Sequence, residues 1–328
     1  MWYYFPEGDE VMKTDQYIKT AIDIVGFPFT VTNMYLNKRR KLKEIGLKVE
    51  VNDKYVHTIL SGEKDAEFTV ILDAGLSCCS LDWHYIQPQV SKFARVLSFD
   101  RAGYGWSSSI NEPYTSLDVV HDLIHIIEKL EIKSPLILVG HSFGSLNMRL
   151  FASMHPDKVS SLILIDPVHE KRYLSNEWDS IRKKSHQKAL NVFRFGYLTS
   201  GIGLPNLLKQ PVGRKFLPDP LQKYADYVGY EPKSYEAVYK EFIYSEKSAI
   251  QLKDSQPLKA TLPVTILSSN NSDPTWVEHQ GLLATLTQNT IYIKTNNGHS
   301  IHLENPELVI EVIKKAVNQI NTKRAIHN

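Results

Sequence analysis

Short apolar runs recur along this chain from residue 47 onward. Each is bounded by Gly, Pro, Asn, Asp or charged residues. They read as strands at 47–51, 55–60, 68–72, 96–100, 136–139, 162–165, 264–267 and 291–293. The first two, joined at Asn52-Asp53, suit an antiparallel hairpin. Between the later runs the apolar residues fall at helical spacing, near 82–92, 116–130, 142–154, 275–287 and 306–320. Strand and helix in alternation predict an α/β fold with a doubly wound, mostly parallel sheet. The segment 170–260 breaks the alternation. A structureless insertion of that length is foreign to a compact domain, and the spacing over 221–244 suits helices, so the segment predicts a helical cap. The expected organisation is a helical extension over 1–45, a core over 46–169 and 261–328, and a cap insertion over 170–260.

Candidate chemistry begins at Gly140-His141-Ser142-Phe143-Gly144. An apolar strand precedes it. A helix follows it, with Leu146, Leu150 and Met154 on one face. Strand, Gly-x-Ser-x-Gly and helix together form the context of a nucleophile elbow. The turn is tight enough that a Cβ two positions before or after the serine would strike the neighbouring strand or helix. It would lift the Ser142 Oγ off the sheet, above a helix N-terminus that favours developing negative charge.

A serine nucleophile needs a base. His299 lies in the loop between the last strand and a helix that begins near Pro306. An imidazole there could take the serine proton and return it to the leaving group. His302 competes for the role but lacks the preceding glycine, Gly298, that would let the loop turn toward the sheet.

These motifs resemble the α/β-hydrolase family, and further residues extend the resemblance. The run 68–76, ending Asp73-Ala74-Gly75-Leu76, is similar to the strand and oxyanion loop that usually carries His-Gly, with Ala74 in place of the His. Asp100-Arg101-Ala102-Gly103-Tyr104-Gly105-Trp106-Ser107 is similar to the turn after the fourth strand, and Gly298-His299 followed by Glu304-Asn305-Pro306 completes the set. The resemblance covers about residues 46–321 and is weakest over 170–260. It is strongest to serine esterase, lipase and peroxidase-like members with a helical cap.

The resemblance implies a serine hydrolase that acts on a small-molecule acyl substrate without metal or organic cofactor. A carboxylate must orient the base, and two positions compete. The family default places it after the strand following the cap, which here gives Asp273. Some members place it after the strand following the nucleophile helix, which gives Asp166. Adjacent strand ends lie about 4.8 Å apart, so either could reach one histidine. Asp273 is preferred on the family default alone. The oxyanion hole would be formed by the backbone N–H groups of Leu76 and Phe143. Epoxide hydrolases and haloalkane dehalogenases need a carboxylate nucleophile, so Ser142 argues against those branches. A non-catalytic binding or signalling protein on the same fold is the alternative.

Composition narrows the field without choosing within it. The 328 residues are 42% hydrophobic and 23% charged, ordinary for a globular protein. A net charge of +2 gives no reason to expect nucleic-acid binding. Cys78 and Cys79, adjacent in sequence, exclude a disulfide framework. The sequence holds no Cys/His cluster with metal spacing and no phosphate-binding glycine loop. Residues 171–260 are rich in Tyr and Phe and carry sixteen Lys and Arg against nine Asp and Glu. The favoured reading is a cap core with a solvated face; the sharper one is an aromatic acyl pocket with a basic rim. The stretch 21–31 is apolar but interrupted by Asp23, Gly26 and Pro28, too short to span a bilayer, and no signal peptide is legible. The expectation is a cytoplasmic chain whose extension packs on the core or cap. A monotopic membrane contact, with Lys38-Arg39-Arg40-Lys41 at the headgroups, is the less favoured alternative.

Overall fold

The structure is a computed structural model that describes residues 8–109, 112–133, 135–214 and 217–327. Two helices, α1 (Gly8–Val25) and α2 (Phe27–Arg39), precede the sheet. The strands are β1 (Leu47–Val51), β2 (Lys54–Ser61), β3 (Thr69–Asp73), β4 (Arg95–Phe99), β5 (Leu136–His141), β6 (Val159–Ile165), β7 (Val264–Ser268) and β8 (Thr290–Lys294). They form one sheet in the order β1-β2-β4-β3-β5-β6-β7-β8. β1 and β2 pair antiparallel, as do β2 and β4, and every later pair is parallel. The expected hairpin and doubly wound, mostly parallel sheet are both present.

The remaining helices are α3 (Gln87–Val90), α4 (Ser116–Lys129), α5 (Gly144–Met154), α6 (Ser180–Thr199), α7 (Leu204–Leu207), α8 (Leu221–Gly229), α9 (Pro232–Ile243), α10 (Ser245–Lys253), α11 (Pro274–Leu283), α12 (Ile301–Glu304) and α13 (Pro306–His327). Side chains of the central strands alternate between two cores. Ile71, Leu97, Leu138 and Leu164 face Leu123 of α4 and Leu146 and Phe151 of α5. Val70, Val96, Ile137 and Ile163 face Trp83, Ile86 and, from α13, Val309 and Ile313. Burial on both faces is why these runs are continuously apolar.

One helix expected from spacing is broken. The span 82–92 divides into a 3-10 turn (Ser80–Trp83) and α3, which carries Pro88 in its first turn. The span 221–244 divides into α8 and α9, because Pro232 holds Glu231 extended at φ −68°, ψ 135°. The insertion between β6 and β7 therefore contributes α6 to α10. Of these, α10 packs on α4 and α5 beside the sheet, and Ser248 there accepts a hydrogen bond from the Ser116 backbone at 3.0 Å. The N-terminal helices pack on the insertion: Met12 of α1 sits among Tyr197, Tyr239 and Tyr244.

Candidate active site

Strand register brings the candidate residues together. Asp73 of β3 pairs with Gly140 of β5, so Ala74-Gly75-Leu76 leaves the sheet beside His141-Ser142-Phe143. His141 pairs with Ile165 of β6, so Ser142 and Asp166 are the next residues on neighbouring strands. Ser142 takes the left-handed backbone at φ +50°, a conformation L residues rarely adopt. Its N–H donates to the Ile165 carbonyl at 3.0 Å. The flanking glycines are sterically required. A Cβ on Gly144 would lie 2.5 Å from the Asp73 carbonyl oxygen, and one on Gly140 2.8 Å from the Gly144 carbonyl oxygen.

Ser142 Oγ lies 2.9 Å from His299 Nε2, and His299 Nδ1 lies 2.5 Å from Asp166 Oδ2. A carboxylate only accepts, so Nδ1 carries the proton and Nε2 is free to accept from the serine hydroxyl. Asp166 is fully buried. Its other oxygen accepts from the Ser269 N–H at 2.9 Å and the Trp276 indole at 3.2 Å. Those donors compensate the loss of water around a buried charge.

The preference for Asp273 is corrected by this geometry. Asp273 lies beyond the end of β7 and caps α11, accepting from the Thr275 N–H at 3.0 Å. Its side chain is half-exposed, 3.8 Å from Arg172. The carboxylate that meets His299 is that of Asp166, while Asp273 is engaged by the Thr275 N–H and lies near Arg172. His302 is also excluded as the base. It is wholly buried, 3.6 Å from Asp82, and packs on Trp83 and His141.

Three residues that the motif reading left without a role shape the site. His141, inside the elbow, has its ring 4.9 Å from that of His299 and donates from Nε2 to the His299 carbonyl at 3.0 Å. Burial pushes its pKa well below the usual imidazole range, and His302 and His299 add repulsion, so it stays neutral beside His299. Arg101 is buried and donates to the carbonyls of Ala74 (2.7 Å) and Gly75 (2.8 Å), to Asp73 (2.6 Å) and to Glu241 of α9 (2.6 Å). It braces the loop from which the expected histidine is missing. Because a peptide is planar and trans, fixing the Gly75 carbonyl turns the Leu76 N–H the opposite way. Among the described residues neither the Leu76 nor the Phe143 N–H has an intramolecular acceptor. Asn147 completes the brace by donating to Asp73 at 2.7 Å. The signal for Arg101 in the sequence was a charged residue set directly after a buried strand end.

The site opens into a cleft of about 370 Å³, lined by Leu76, Val168, Tyr173, Trp276, Arg172 and Arg214 among others. Arg214 is matched by Asp82 at 2.6 Å, so it is not a free cation. Cys78 also borders the cleft, but burial pushes its thiol up to about 12, which leaves it inert at neutral pH. Among the described residues no cluster of His, Cys, Asp and Glu could hold a metal ion.

The family model described as "alpha/beta hydrolase fold" matches residues 69–306. The chain belongs to this family. The hydrolase chain also matches YqjL of Bacillus subtilis at 21% identity over 248 residues, covering 74% of this chain and 80% of that protein. It spans 40% of the length of a Schizosaccharomyces pombe relative, at 25% identity over 225 residues. Among solved structures, the epoxide hydrolase CorEH superposes with a TM-score of 0.67 at 17% identity, covering 84% of this chain and 99% of that one. The enol-lactonase from Burkholderia xenovorans LB400 superposes with a TM-score of 0.59 at 17% identity, covering 83% and 100%. At such identities the structural likeness bears on the fold.

Proposed function

We propose that this α/β hydrolase is a serine hydrolase that cleaves a carboxylic ester or related acyl bond through an acyl-enzyme. The carrying observation is the relay from Ser142 Oγ through His299 to Asp166, at 2.9 and 2.5 Å. Ser142 attacks the acyl carbon while His299 Nε2 takes its proton, and Asp166 stabilises the imidazolium that forms. The N–H groups of Leu76 and Phe143 would receive the charge on the tetrahedral oxygen. His299 then protonates the leaving alcohol, and water repeats the sequence to release the acid.

A serine separates this reading from those suggested by the epoxide hydrolase likeness. Attack by a serine oxygen on an epoxide or haloalkane carbon would leave an ether, which water does not split at this site. Attack on an acyl carbon leaves an ester, which it does. The cap aromatics mostly form the cap's own core: Tyr197 stacks on Tyr239 at 5.2 Å and Phe193 meets Phe242 at 5.0 Å. Among the cleft-lining residues, Tyr173 is the aromatic contributed by the insertion.

Labelling by a fluorophosphonate and turnover of short p-nitrophenyl esters test the reading. Ser142→Ala should abolish both, with a loss in kcat of about six orders of magnitude in a protein that keeps its circular dichroism. Activity of the variant within tenfold of the parent, or a parent that neither labels nor turns over, would refute it.

A further inference from the structure

We propose that the end of α1, α2 and the end of α7 form a docking surface for an anionic lipid bilayer. The helix α2 is inverted relative to a normal surface helix. Among its residues Asn33 is the buried one, and it is polar. Its amide donates to the carbonyls of Ser200 and Gly201 at 3.0 Å, and its oxygen accepts from Asn206. The helix is thus held to the body by a polar anchor. Its apolar side chains are left outside: Phe27, Val31 and Met34 follow at i, i+4 and i+7, and so share one face. Phe29 is 68% exposed. Val25, at the end of α1, is 86% exposed. Leu207 is 78% exposed, next in the chain to Asn206, which binds α2. Exposed apolar clusters of this kind mark interaction sites in globular proteins.

Charge identifies the occupant. From Ile24 to Lys43 there are five basic residues, Lys38, Arg39, Arg40, Lys41 and Lys43, and no acidic one. Lys38 continues the Phe27, Val31, Met34 face by a further helical turn. Protein interfaces are depleted in Lys, whereas three of these five cations are lysines. A basic border around apolar side chains matches a bilayer whose interior takes the side chains and whose anionic headgroups take the cations. Among the described residues no helix is long and apolar enough to cross a membrane, so the contact would be monotopic. The strap from Leu207 runs on to Gly213 and Arg214, which line the catalytic cleft. A short stretch of chain thus joins the docked face to the wall of the cleft that would take an acyl substrate. That last consequence rests on the esterase reading; bilayer binding does not.

The test is co-sedimentation of the full chain with vesicles of phosphatidylcholine, alone or mixed with phosphatidylserine. The parent should pellet with the mixed vesicles, and high salt should release it. Each basic group near an anionic surface contributes roughly fivefold to partition. Lys38→Gln, Arg39→Gln and Lys41→Gln together should therefore weaken binding about a hundredfold. Arg40 is spared because it donates to Asn206 at 2.8 Å. Phe27→Ser with Phe29→Ser should lose binding while turnover of p-nitrophenyl acetate stays unchanged. Ser142→Ala should bind vesicles like the parent, which separates failure of docking from failure of catalysis. No pelleting of the parent overturns the proposal. So does equal pelleting of the Phe27 and Phe29 variant, or a lipid-free dimer that this variant dissolves.

Discussion

The catalytic end of the sheet and the helices laid over it are built on different principles. In the sheet, neighbours are fixed by register. Asp73 opposite Gly140 and His141 opposite Ile165 determine which residues emerge side by side. The helical insertion and α1–α2 are fixed by polar anchors instead. Arg101 joins Glu241 to the loop at Ala74 and Gly75, Asp15 holds Arg194 at 2.7 Å and also receives the Tyr239 hydroxyl, and Asn33 clasps the turn after α6. A register is cooperative and hard to shift by one substitution. An anchor is local, so a single change can loosen a layer without unmaking the sheet. The groups of the proposed relay, which demand sub-ångström placement, lie on the first kind of structure, and the proposed bilayer surface lies on the second.

The sharpest way to break that contrast is at the acid. If register places the triad, Asp166→Asn should lower kcat on p-nitrophenyl butyrate by about 10⁴. The amide cannot hold His299 in the tautomer that leaves Nε2 free. Asp273→Asn should change kcat by less than threefold, because Asp273 caps α11 and does not face the base. A larger loss from Asp273 than from Asp166 would mean the loop after β7 rearranges when substrate binds.

The junction between the two layers comes next. Arg101→Met removes one partner from a buried group that includes Asp73 and Glu241. Orphaning buried charge costs about 3–5 kcal/mol, which a lowered urea midpoint would report. Glu241→Gln retains hydrogen-bonding oxygen for Arg101 and should cost less. Equal midpoints for Arg101→Met and the parent would show that the cap and the oxyanion loop do not depend on this contact.

Legibility follows the same division. The central strands could be placed to within a few residues because burial on both faces leaves a continuous apolar run. Ser142 and His299 could be chosen because a glycine-bounded elbow and a post-strand glycine constrain the backbone. The choice between Asp166 and Asp273 fell on Asp273 by family default, since it depends on the path of the loop after β7, and no residue type announces it. The helix α6 was missed as a separate element. Leu190, Phe193 and Tyr197 give helical spacing only in its second half, and residues 182–188 are all polar. The helix α2 has apolar residues around most of its circumference, so periodicity gave no inward face. Its inward residue proved to be Asn33.

The smallest effect concerns the cap alone and its response to acid. His186 of α6 lies against Phe242 at 4.5 Å and Trp178 at 4.4 Å, with Nδ1 unpartnered among the described residues. Burial pushes its pKa from the ordinary 6.5 down to about 4, and Arg182 adds repulsion. Above pH 6.5 the imidazole is neutral in both folded and unfolded chains, so it adds no pH dependence. Between 6.5 and about 4 the unfolded chain binds a proton that the folded one refuses. Stability is therefore lost as pH falls through that window, and the loss is complete below the folded value. His186→Phe should remove this contribution while preserving the stack on Phe242. The side chain is only partly buried, so solvent screening limits the expected difference to about 1 kcal/mol, or roughly 2 °C in Tm near pH 4.5. Comparing variant with parent at pH 7.5 and 4.5 cancels the carboxylates that both share. A pH 4.5 deficit in Tm that is unchanged in the variant would mean that His186 reaches water in the folded cap, and that this face of α6 opens more readily than its packing implies.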